Sequence, residues 1–439
     1  MSSVFYRNPK QQYPRSVRGD GVYVVDDAGK RYLDACGGAA VCCLGHAHPV
    51  VIDAIKAQVD QLAYAHTAFF TNEPQEQLAA KLVDRFGEPD ARAYFLSGGS
   101  EANEATIKLC RQYWLAKGRD DKRIIVSRKQ SYHGNSLGAL SLSDHAGRRK
   151  LYEPLLLDWP RIDPCYAYRC QTDTESEEEY GSRSANALEE AIAEHGADNI
   201  AAFIAETVVG ATLGAVPPVD GYFQKIRKIC DRHDILLILD EVMAGSGRTG
   251  TYFSFEQDGI KPDITTIAKG LAGGYQPISA MIVRGFVHDT IIEEFGSFEH
   301  GHTYVGHATA CAAALAVSNV IDEDDLLSNV RKVGKHLVTE LESAFAEHPN
   351  VGDIRGRGLL VGIELVADRA SKAPANPAIA GRIKQIAMDN GLMVYPSGGT
   401  ADGQAGAHIL LAPPFIYDFN NVDELVSKLQ VVLGKNELW

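Results

Sequence analysis

Short apolar runs and longer amphipathic stretches alternate from about Glu73 to Asp322, and this alternation constrains the fold more than any other feature of the sequence. Strands and helices in alternation are typical of an α/β sheet. Most of the runs are apolar on both faces, so we expect helices to cover each side of a mostly parallel sheet. The predicted strands are residues 93–96, 123–126, 201–205, 235–239, 265–268 and 278–283.

Helical spacing of apolar residues predicts a helix from Ser100 to Lys117, which ends at Gly118, and another from Leu326 to Phe345. The later segments GRGLLVGIELV and HILLAPPFI read as strands of a smaller C-terminal domain, with the boundary near residues 321–325. The acidic run TDTESEEEY, residues 172–180, has no apolar period, so we expect a solvated loop without function.

The size and charge of the chain disfavour several classes of function. A chain of 439 residues with 45% apolar residues can bury a large core. Its 43 basic and 57 acidic residues give a formal charge of −14, which repels nucleic acids and anionic lipids. The first residues lack the apolar core of a secretory signal, and no stretch reaches the roughly 18 apolar residues of a membrane span. We therefore expect a cytoplasmic protein that acts on small molecules.

The eight cysteines are scattered and are expected to be reduced thiols. Cys165 and Cys170 lie close together in CYAYRC, but a zinc site would need a second pair or clustered histidines. We therefore predict no metal site.

Polar residues directly follow several of the predicted strands. In an open α/β sheet, ligands bind outside the carboxyl ends of the strands, so these residues are the candidates for chemistry. They are Ser97-Gly98-Gly99-Ser100, Glu206, Asp240-Glu241 and Lys269. Together they supply a glycine-rich turn, several carboxylates and an amine.

The glycine-rich turn opens the helix predicted from Ser100. Free N–H groups and the positive end of the helix dipole favour a phosphate there, although such a turn can also simply join strand to helix. Lys269 ends an apolar run and precedes GLAGG, surroundings that disfavour the charged ammonium and make a nucleophilic neutral amine accessible. A surface lysine that begins a loop is the alternative. Asp240 can likewise be a helix cap or a partner of Arg248.

The combination of the glycine-rich turn, Lys269 and Asp240 favours a catalytic site over these structural alternatives. A carboxylate that keeps a pyridine nitrogen protonated, a phosphate cradle and an imine-forming lysine are three demands of pyridoxal chemistry. A competing motif, GSGRTG at residues 245–250, matches the dinucleotide fingerprint G-x-G-x-x-G. That fingerprint needs a helix to begin inside it, whereas the following TYFSF is aromatic and β-prone, so we do not expect a nicotinamide cofactor.

The sequence resembles the class III aminotransferases, the omega-transaminase or ornithine-aminotransferase-like group of fold type I. Eight segments carry the resemblance over nearly the whole chain: YLDACGGAAVCCLGHAHP, FLSGGSEANEATIKL, SYHGNSLGAL, AETVVG, LILDEVMAGSGRTG, TIAKGLAGGY, GHTYVGHATACAAALA and IRGRGLLVGIEL. The resemblance implies a large domain, residues 61–323, that binds pyridoxal 5′-phosphate (PLP). It also implies a smaller α+β domain formed by residues 1–60 and 324–439.

The resemblance further implies roles for individual residues. Lys269 would hold the cofactor as an imine and move the proton, and Asp240 would pair with the pyridine nitrogen. The other cofactor-binding residues implied are Gly99 and Ser100 at the phosphate, Tyr132 and Val242 on the two faces of the ring, Glu206 beside the cofactor, and Thr303 reaching the phosphate of a neighbouring subunit. Shared sites imply a homodimer, which can pair into a tetramer. His133 and Arg248 lie in family motifs and are interpreted as structural partners.

The implied reaction moves an amino group from an ω-amino acid or primary amine to a keto acid such as pyruvate in a ping-pong cycle. An aminomutase and a decarboxylating transaminase of the same family are the alternatives, and a non-catalytic binding protein on this fold is a third. Many relatives that use pyruvate carry an arginine just before the segment matching LLAPPF, to hold a substrate carboxylate. Here the stretch GGTADGQAGAHILLAPPF has none, so the carboxylate anchor is unassigned.

Overall fold

The computed structural model describes residues 2–435 and 438–439. Its α-helices are α1 (Gly37–Ala40), α2 (Pro49–Gln61), α3 (Glu73–Phe86), α4 (Gly99–Ala116), α5 (Leu137–Leu142), α6 (Ala146–Arg149), α7 (Ala167–Cys170), α8 (Glu177–His195), α9 (Tyr222–Arg232), α10 (Gly285–Phe295), α11 (Ala308–Glu323), α12 (Leu326–Phe345), α13 (Ile379–Asp389) and α14 (Phe419–Leu433). Short 3₁₀ helices cover Glu153–Leu155, Ala197–Asn199, Ser254–Asp258 and Lys269–Leu271.

The strands are β1 (Ser16–Asp20), β2 (Tyr23–Asp26), β3 (Arg31–Asp34), β4 (Arg92–Leu96), β5 (Ile124–Arg128), β6 (Arg161–Ile162), β7 (Ile200–Glu206), β8 (Leu236–Asp240), β9 (Ile264–Ile267), β10 (Ser279–Val283), β11 (Val351–Arg357), β12 (Leu360–Asp368), β13 (Ala373–Pro374), β14 (Leu392–Met393), β15 (Tyr395–Gly398) and β16 (Ala407–Leu411). All six strands predicted from the apolar runs are present, as β4, β5 and β7 to β10.

The central sheet has seven strands in the order β4-β10-β9-β8-β7-β5-β6. The pairs from β9 through β6 are parallel, and β10 runs antiparallel to both of its neighbours. The predicted α/β class with a mostly parallel sheet is therefore confirmed.

Both faces of the central sheet are buried, which explains the unbroken apolar runs. Consecutive residues of one strand point to opposite faces. Phe203 and Leu237 pack in one apolar cluster with α8 and α9, whereas Ile204 and Ile238 pack in another with Trp114 of α4. Every residue of β7 and β8 is buried.

A second apolar core lies apart from the central sheet. It joins residues near the N-terminus, such as Leu33, to residues of α12, β12, β16 and α14. The chain ends meet here, because β3 pairs in parallel with β14, and β11, β12, β16 and β15 form an antiparallel sheet. The chain passes between α11 and α12 at Asp324 and at Asp325, which has a left-handed φ of 48°. We propose that the boundaries between the large and the small domain lie after residues 60 and 323.

The acidic run of residues 172–180 is not entirely a loop, which corrects the prediction. Helix α8 begins at Glu177, inside the run. Ser176 accepts a hydrogen bond from the Glu179 N–H, and the Glu179 side chain accepts one from the Ser176 N–H, so the two residues form a capping box. Three glutamates in the first turn also suit the positive end of the helix dipole.

The cysteines are all free thiols, as predicted. Within the described ranges, no helix combines the length and apolar character needed to cross a membrane.

Candidate active site

Three candidate side chains emerge at the same edge of the central sheet. Glu206 is the last residue of β7, Asp240 is the last residue of β8, and the two are paired in register. Lys269 follows β9, the next strand in the sheet, by two residues. Because the carboxyl ends of parallel strands share one edge, all three line a single cavity of about 460 Å³.

Lys269 is an amine held in this cavity. Its backbone has a φ of 47°, a left-handed conformation that costs a non-glycine residue free energy and is found mainly at functional sites. Its side chain forms no hydrogen bond or ion pair with any residue in the described part of the chain. Burial lowers the pKa of the ammonium to about 8, although the negative charges of Asp240 and Glu206 raise it in part. Lys269 is therefore not an ordinary surface lysine.

Asp240 is held by three neighbours. Its Oδ2 accepts a hydrogen bond from Asn103 Nδ2 at 2.8 Å and lies 2.8 Å from His133 Nδ1. Its Oδ1 accepts the Val242 N–H at 3.0 Å. Asn103 is fixed in turn by Thr266, whose hydroxyl donates to Asn103 Oδ1 at 3.1 Å. The carboxylate is only 4% exposed, so its orientation in the cavity is fixed by these contacts.

Arg248 does not pair with Asp240, so that alternative is wrong. Its Nη1 donates to the carbonyl oxygens of Leu359 and Pro413, and its guanidinium lies 4.6 Å from the centre of the Phe415 ring. These contacts agree with the structural interpretation of Arg248. Residues 245–250 form turns in which no helix begins, so the dinucleotide fingerprint lacks its structural context.

Glu206 fixes the loop that carries Tyr132. Its Oε1 accepts the Tyr132 N–H at 3.0 Å, and its Oε2 accepts the Gly210 N–H at 2.9 Å. Burial raises the pKa of this carboxyl group. Glu206 thus positions the aromatic ring at the cavity wall.

The glycine-rich turn, which the sequence predicts to be a phosphate cradle, lies at the start of α4. The helix begins at Gly99, and its first-turn N–H groups have no carbonyl partner within the helix. A Cβ on Gly99 would come within 2.8 Å of Val242 Cγ1, so only glycine leaves room between the helix and Val242. Ser100 Oγ accepts the Asn135 N–H at 3.0 Å, which ties the loop after Tyr132 to the same helix end.

The structure brings most of the predicted site residues together and separates one. Gly99, Ser100, Tyr132, Glu206, Asp240, Val242 and Lys269 all line the cavity. Thr303 does not: it is exposed before α11, and its carbonyl oxygen accepts the Tyr64 hydroxyl at 2.7 Å. Sequence reasoning missed Asn103, which lies one helical turn after Gly99 and therefore on the same side of α4. It also missed the wall residues Met243 and Gln276.

The residues present fit PLP. A helix N-terminus binds a phosphate, a buried carboxylate can face a ring nitrogen, and an amine of lowered pKa can bond to an aldehyde carbon. The cavity is also within the size range of cofactor sites, about 300–1,000 Å³. The three groups come from α4, β8 and the segment after β9, all at one edge of the sheet.

A separate cluster offers possible metal ligands. Atoms of Asp34, Cys42 and His46 lie within 4.8 Å of one another. Within the cluster, Asp34 Oδ2 lies 2.9 Å from His46 Nε2, and Asp34 Oδ1 accepts the Cys36 N–H at 3.2 Å. The contacts explain the cluster as a support for the segment after β3.

Both the sequence and the structure are similar to those of known aminotransferases. A family model described as "Aminotransferase class-III" matches residues 5–433. An uncharacterised aminotransferase of Schizosaccharomyces pombe is 44% identical over 97% of this chain and 94% of its own length. Gamma aminobutyrate transaminase 3 of Solanum lycopersicum is 37% identical over 96% of this chain and 80% of its own length. The omega transaminase of Pseudomonas jessenii in complex with PMP is 32% identical, with a TM-score of 0.91 over 98% of this chain and 96% of that chain.

Proposed function

Because this chain belongs to the class III aminotransferase family, we propose that it moves an amino group from an ω-amino acid or another primary amine to a keto acid such as pyruvate. The observation that carries the proposal is the shared cavity of Lys269 and Asp240 at the N-terminus of α4. A relative named as a gamma aminobutyrate transaminase and a structural neighbour named as an omega transaminase favour amines that lie away from a carboxylate.

Class III aminotransferases depend on PLP, and we propose that PLP binds in this cavity. When bound, it supplies an aldehyde carbon that takes up the amino group and a ring that accepts electron density. Lys269 Nζ would hold it covalently, and the N–H groups of Gly99 and Ser100 would bind its phosphate. Asp240 would face its ring nitrogen, with Tyr132 and Val242 on the two ring faces.

The residues of this chain then have distinct tasks. Once the substrate amine has displaced it from the cofactor, Lys269 Nζ would accept a proton from the amine-bearing carbon of the substrate and donate it to the former aldehyde carbon. A pKa of about 8 suits that exchange, because both protonation states are accessible near neutral pH. Asp240 keeps its orientation through Asn103, His133 and the Val242 N–H, so its charge needs no rearrangement during the reaction.

We also propose how the chain assembles and where it is located in the cell. A homodimer with shared sites, or a tetramer of two such dimers, would place Thr303 at the phosphate of the neighbouring subunit. Support comes from three exposed aromatic side chains, with Phe69 79%, Phe70 67% and Tyr304 57% exposed, because exposed apolar side chains often mark contact surfaces. Tyr304 also lines a cavity of about 300 Å³ that shares Ser97, Gln276, Pro277 and Ile278 with the cavity of Lys269. We propose a cytoplasmic location, which rests on the eight free thiols.

The test is a donor and acceptor assay on the PLP-loaded protein. Hexylamine or 6-aminohexanoate is supplied with pyruvate, and alanine formation is measured. We expect alanine from the parent protein, none from the Lys269→Ala variant, and parallel lines in double-reciprocal plots, as a ping-pong cycle requires. Sustained donor conversion without a keto acid would instead identify an aminomutase. Release of carbon dioxide from 2-aminoisobutyrate, whose carboxylate is on the amine-bearing carbon, would identify a decarboxylating transaminase.

A further inference from the structure

The arginines near the cavity differ in whether their guanidinium group is already paired with another group of the protein. Arg355 pairs with Asp353 at 2.8 Å and also with Glu364, and Arg357 pairs with Asp258 at 2.8 Å. These contacts leave neither Arg355 nor Arg357 available for a substrate carboxylate. Arg248 is likewise occupied by two carbonyl oxygens, as described above.

Arg148, on α6, is placed differently. Its guanidinium lies 4.4 Å from the centre of the Tyr132 ring and forms no ion pair with any carboxylate in the described part of the chain. The adjacent Arg149, by contrast, is buried and donates to the carbonyl oxygens of Leu140, Ser141 and Ser143. Arg149 therefore holds the helix in place, whereas the charge of Arg148 is available to a ligand.

Arg148 lines a second pocket, of about 580 Å³, that has Tyr132 in common with the cofactor cavity. Among the residues that the structure describes, the pocket wall contains two arginines and no acidic residue, in a chain with 57 acidic and 43 basic residues. The rest of the wall is largely apolar. Its residues are Arg7, Tyr132, Asn135, Leu137, Leu140, Gly147, Arg148, Leu151 and Tyr152. Such a wall is complementary to an apolar chain that ends in an anion.

An electrostatic interaction also connects the Arg148 pocket with the cofactor cavity. Burial is the largest cause of the lowered pKa of Lys269, and the positive charge of Arg148 lowers it further. A substrate that places its amine at Lys269 and extends past Tyr132 would bring its far end to Arg148. The far end must then be negatively charged and separated from the amine by several methylene groups.

We propose that Arg148 binds the distal carboxylate of an ω-amino acid donor, with the leucines of the pocket wall packing against its methylene groups. The proposal rests on the transaminase function proposed above and assigns the carboxylate anchor that the sequence left open. Arg148 is thus a specificity-determining residue. It distinguishes an ω-amino acid from the plain amine of equal length.

The test compares 6-aminohexanoate with hexylamine in the donor half-reaction of the PLP-loaded protein, without a keto acid. In the Arg148→Gln variant the apparent Kd for 6-aminohexanoate should rise about tenfold to hundredfold, the loss expected for a charge-assisted hydrogen bond. The apparent Kd for hexylamine should not change. Lys150→Gln, which removes an exposed charge two residues away, is the matched control and should affect neither donor. Equal weakening of both donors would mean that Arg148 only supports Tyr132, and would overturn the proposal, as would no change for either.

A binding measurement separates this proposal from the proposed reaction. Hexanoate has the carboxylate without the amine, so its binding by calorimetry does not require turnover. If the parent protein converts neither donor, the transaminase proposal fails, while loss of hexanoate binding in Arg148→Gln still supports the anchor. Arg148→Lys should retain part of the hexanoate binding, since it keeps the positive charge. Unchanged hexanoate binding in Arg148→Gln, or its loss only in Arg7→Gln, would overturn the assignment.

Discussion

The Nδ1 atom of His133 lies 2.8 Å from Oδ2 of Asp240, the oxygen that also accepts the amide of Asn103. The two contacts, with the Val242 N–H on the other oxygen, fix the carboxylate before any ligand arrives. A buried carboxylate fixed in this way can stabilise positive charge on a ring nitrogen without rearranging. The role proposed for Asp240 depends on that fixed charge.

Replacing Asp240 with asparagine tests the charge directly. The Asp240→Asn variant keeps the shape of the side chain, so we expect it to fold and to retain PLP. Turnover should fall about a hundredfold or more, the loss typical when one preorganised stabilising group is removed. Steady-state kinetics and bound-cofactor absorbance measure both effects. Asp231→Asn, at an exposed carboxylate of α9, is the control and should retain normal turnover. Near-normal turnover in Asp240→Asn would refute the assignment.

The pKa of Lys269 predicts a pH-dependent stability of the cofactor-free chain. Burial lowers this pKa from 10.5 to about 8, so the unfolded chain binds more protons between those two pH values. The buried ammonium is thus destabilising below about pH 8, and that effect disappears as the pH rises toward 10.5. Lys269→Met should be more stable than the parent below pH 8, by at most about 3 kcal/mol, and equal to it near pH 10.5.

Urea unfolding of the parent and of Lys269→Met across this pH range measures the difference. Lys150→Met removes an exposed lysine of the same type and should show no such pH dependence. A stability difference between the parent and Lys269→Met that stays constant from pH 7 to pH 10.5 is incompatible with the lowered pKa.

Gly99 sets the space between α4 and Val242. The Cβ of a Gly99→Ala variant would lie 2.8 Å from Val242 Cγ1 and 3.0 Å from Cγ2, so the helix end or Val242 must move. Overpacking of this kind costs about 1–3 kcal/mol, and we expect the Kd for PLP to rise about tenfold or more. Titration of the cofactor-free protein with PLP measures the Kd.

Gly381→Ala is the matched control for this substitution. It lies in α13, where a Cβ meets nothing within 4 Å, and should raise stability by about 0.5–1 kcal/mol without changing PLP binding. If Gly99→Ala binds PLP as tightly as the parent does, the cradle has been assigned to the wrong place.

Sequence patterns predicted the site residues whose positions depend only on the residues directly before and after them. Asp240 could be located because it follows a fully apolar run, and Lys269 because it follows a β-prone run of isoleucine and threonine. Parallel strands place their carboxyl ends together. Asn103 could not be found this way, since its contact with Asp240 depends on how α4 packs across the sheet. Arg148 lies on a helix of four residues without a pattern, and only the packing of α6 beside Tyr132 gives it a role.

The missed start of α8 has a different cause. The acidic run lacks apolar periodicity, but the Ser176 to Glu179 spacing is a helix-start signal that the polarity of the run concealed. Capping depends on local hydrogen bonds, and an argument based on apolar spacing alone does not detect it.

We propose that Lys269 is the amine that holds the cofactor. Borohydride reduction of the PLP-loaded protein, followed by peptide mass spectrometry, tests this assignment. We expect one stable cofactor adduct, on the peptide that contains Lys269, and none in Lys269→Ala. An adduct on a different lysine with Lys269 unmodified, or full labelling of the Lys269→Ala variant, would contradict it.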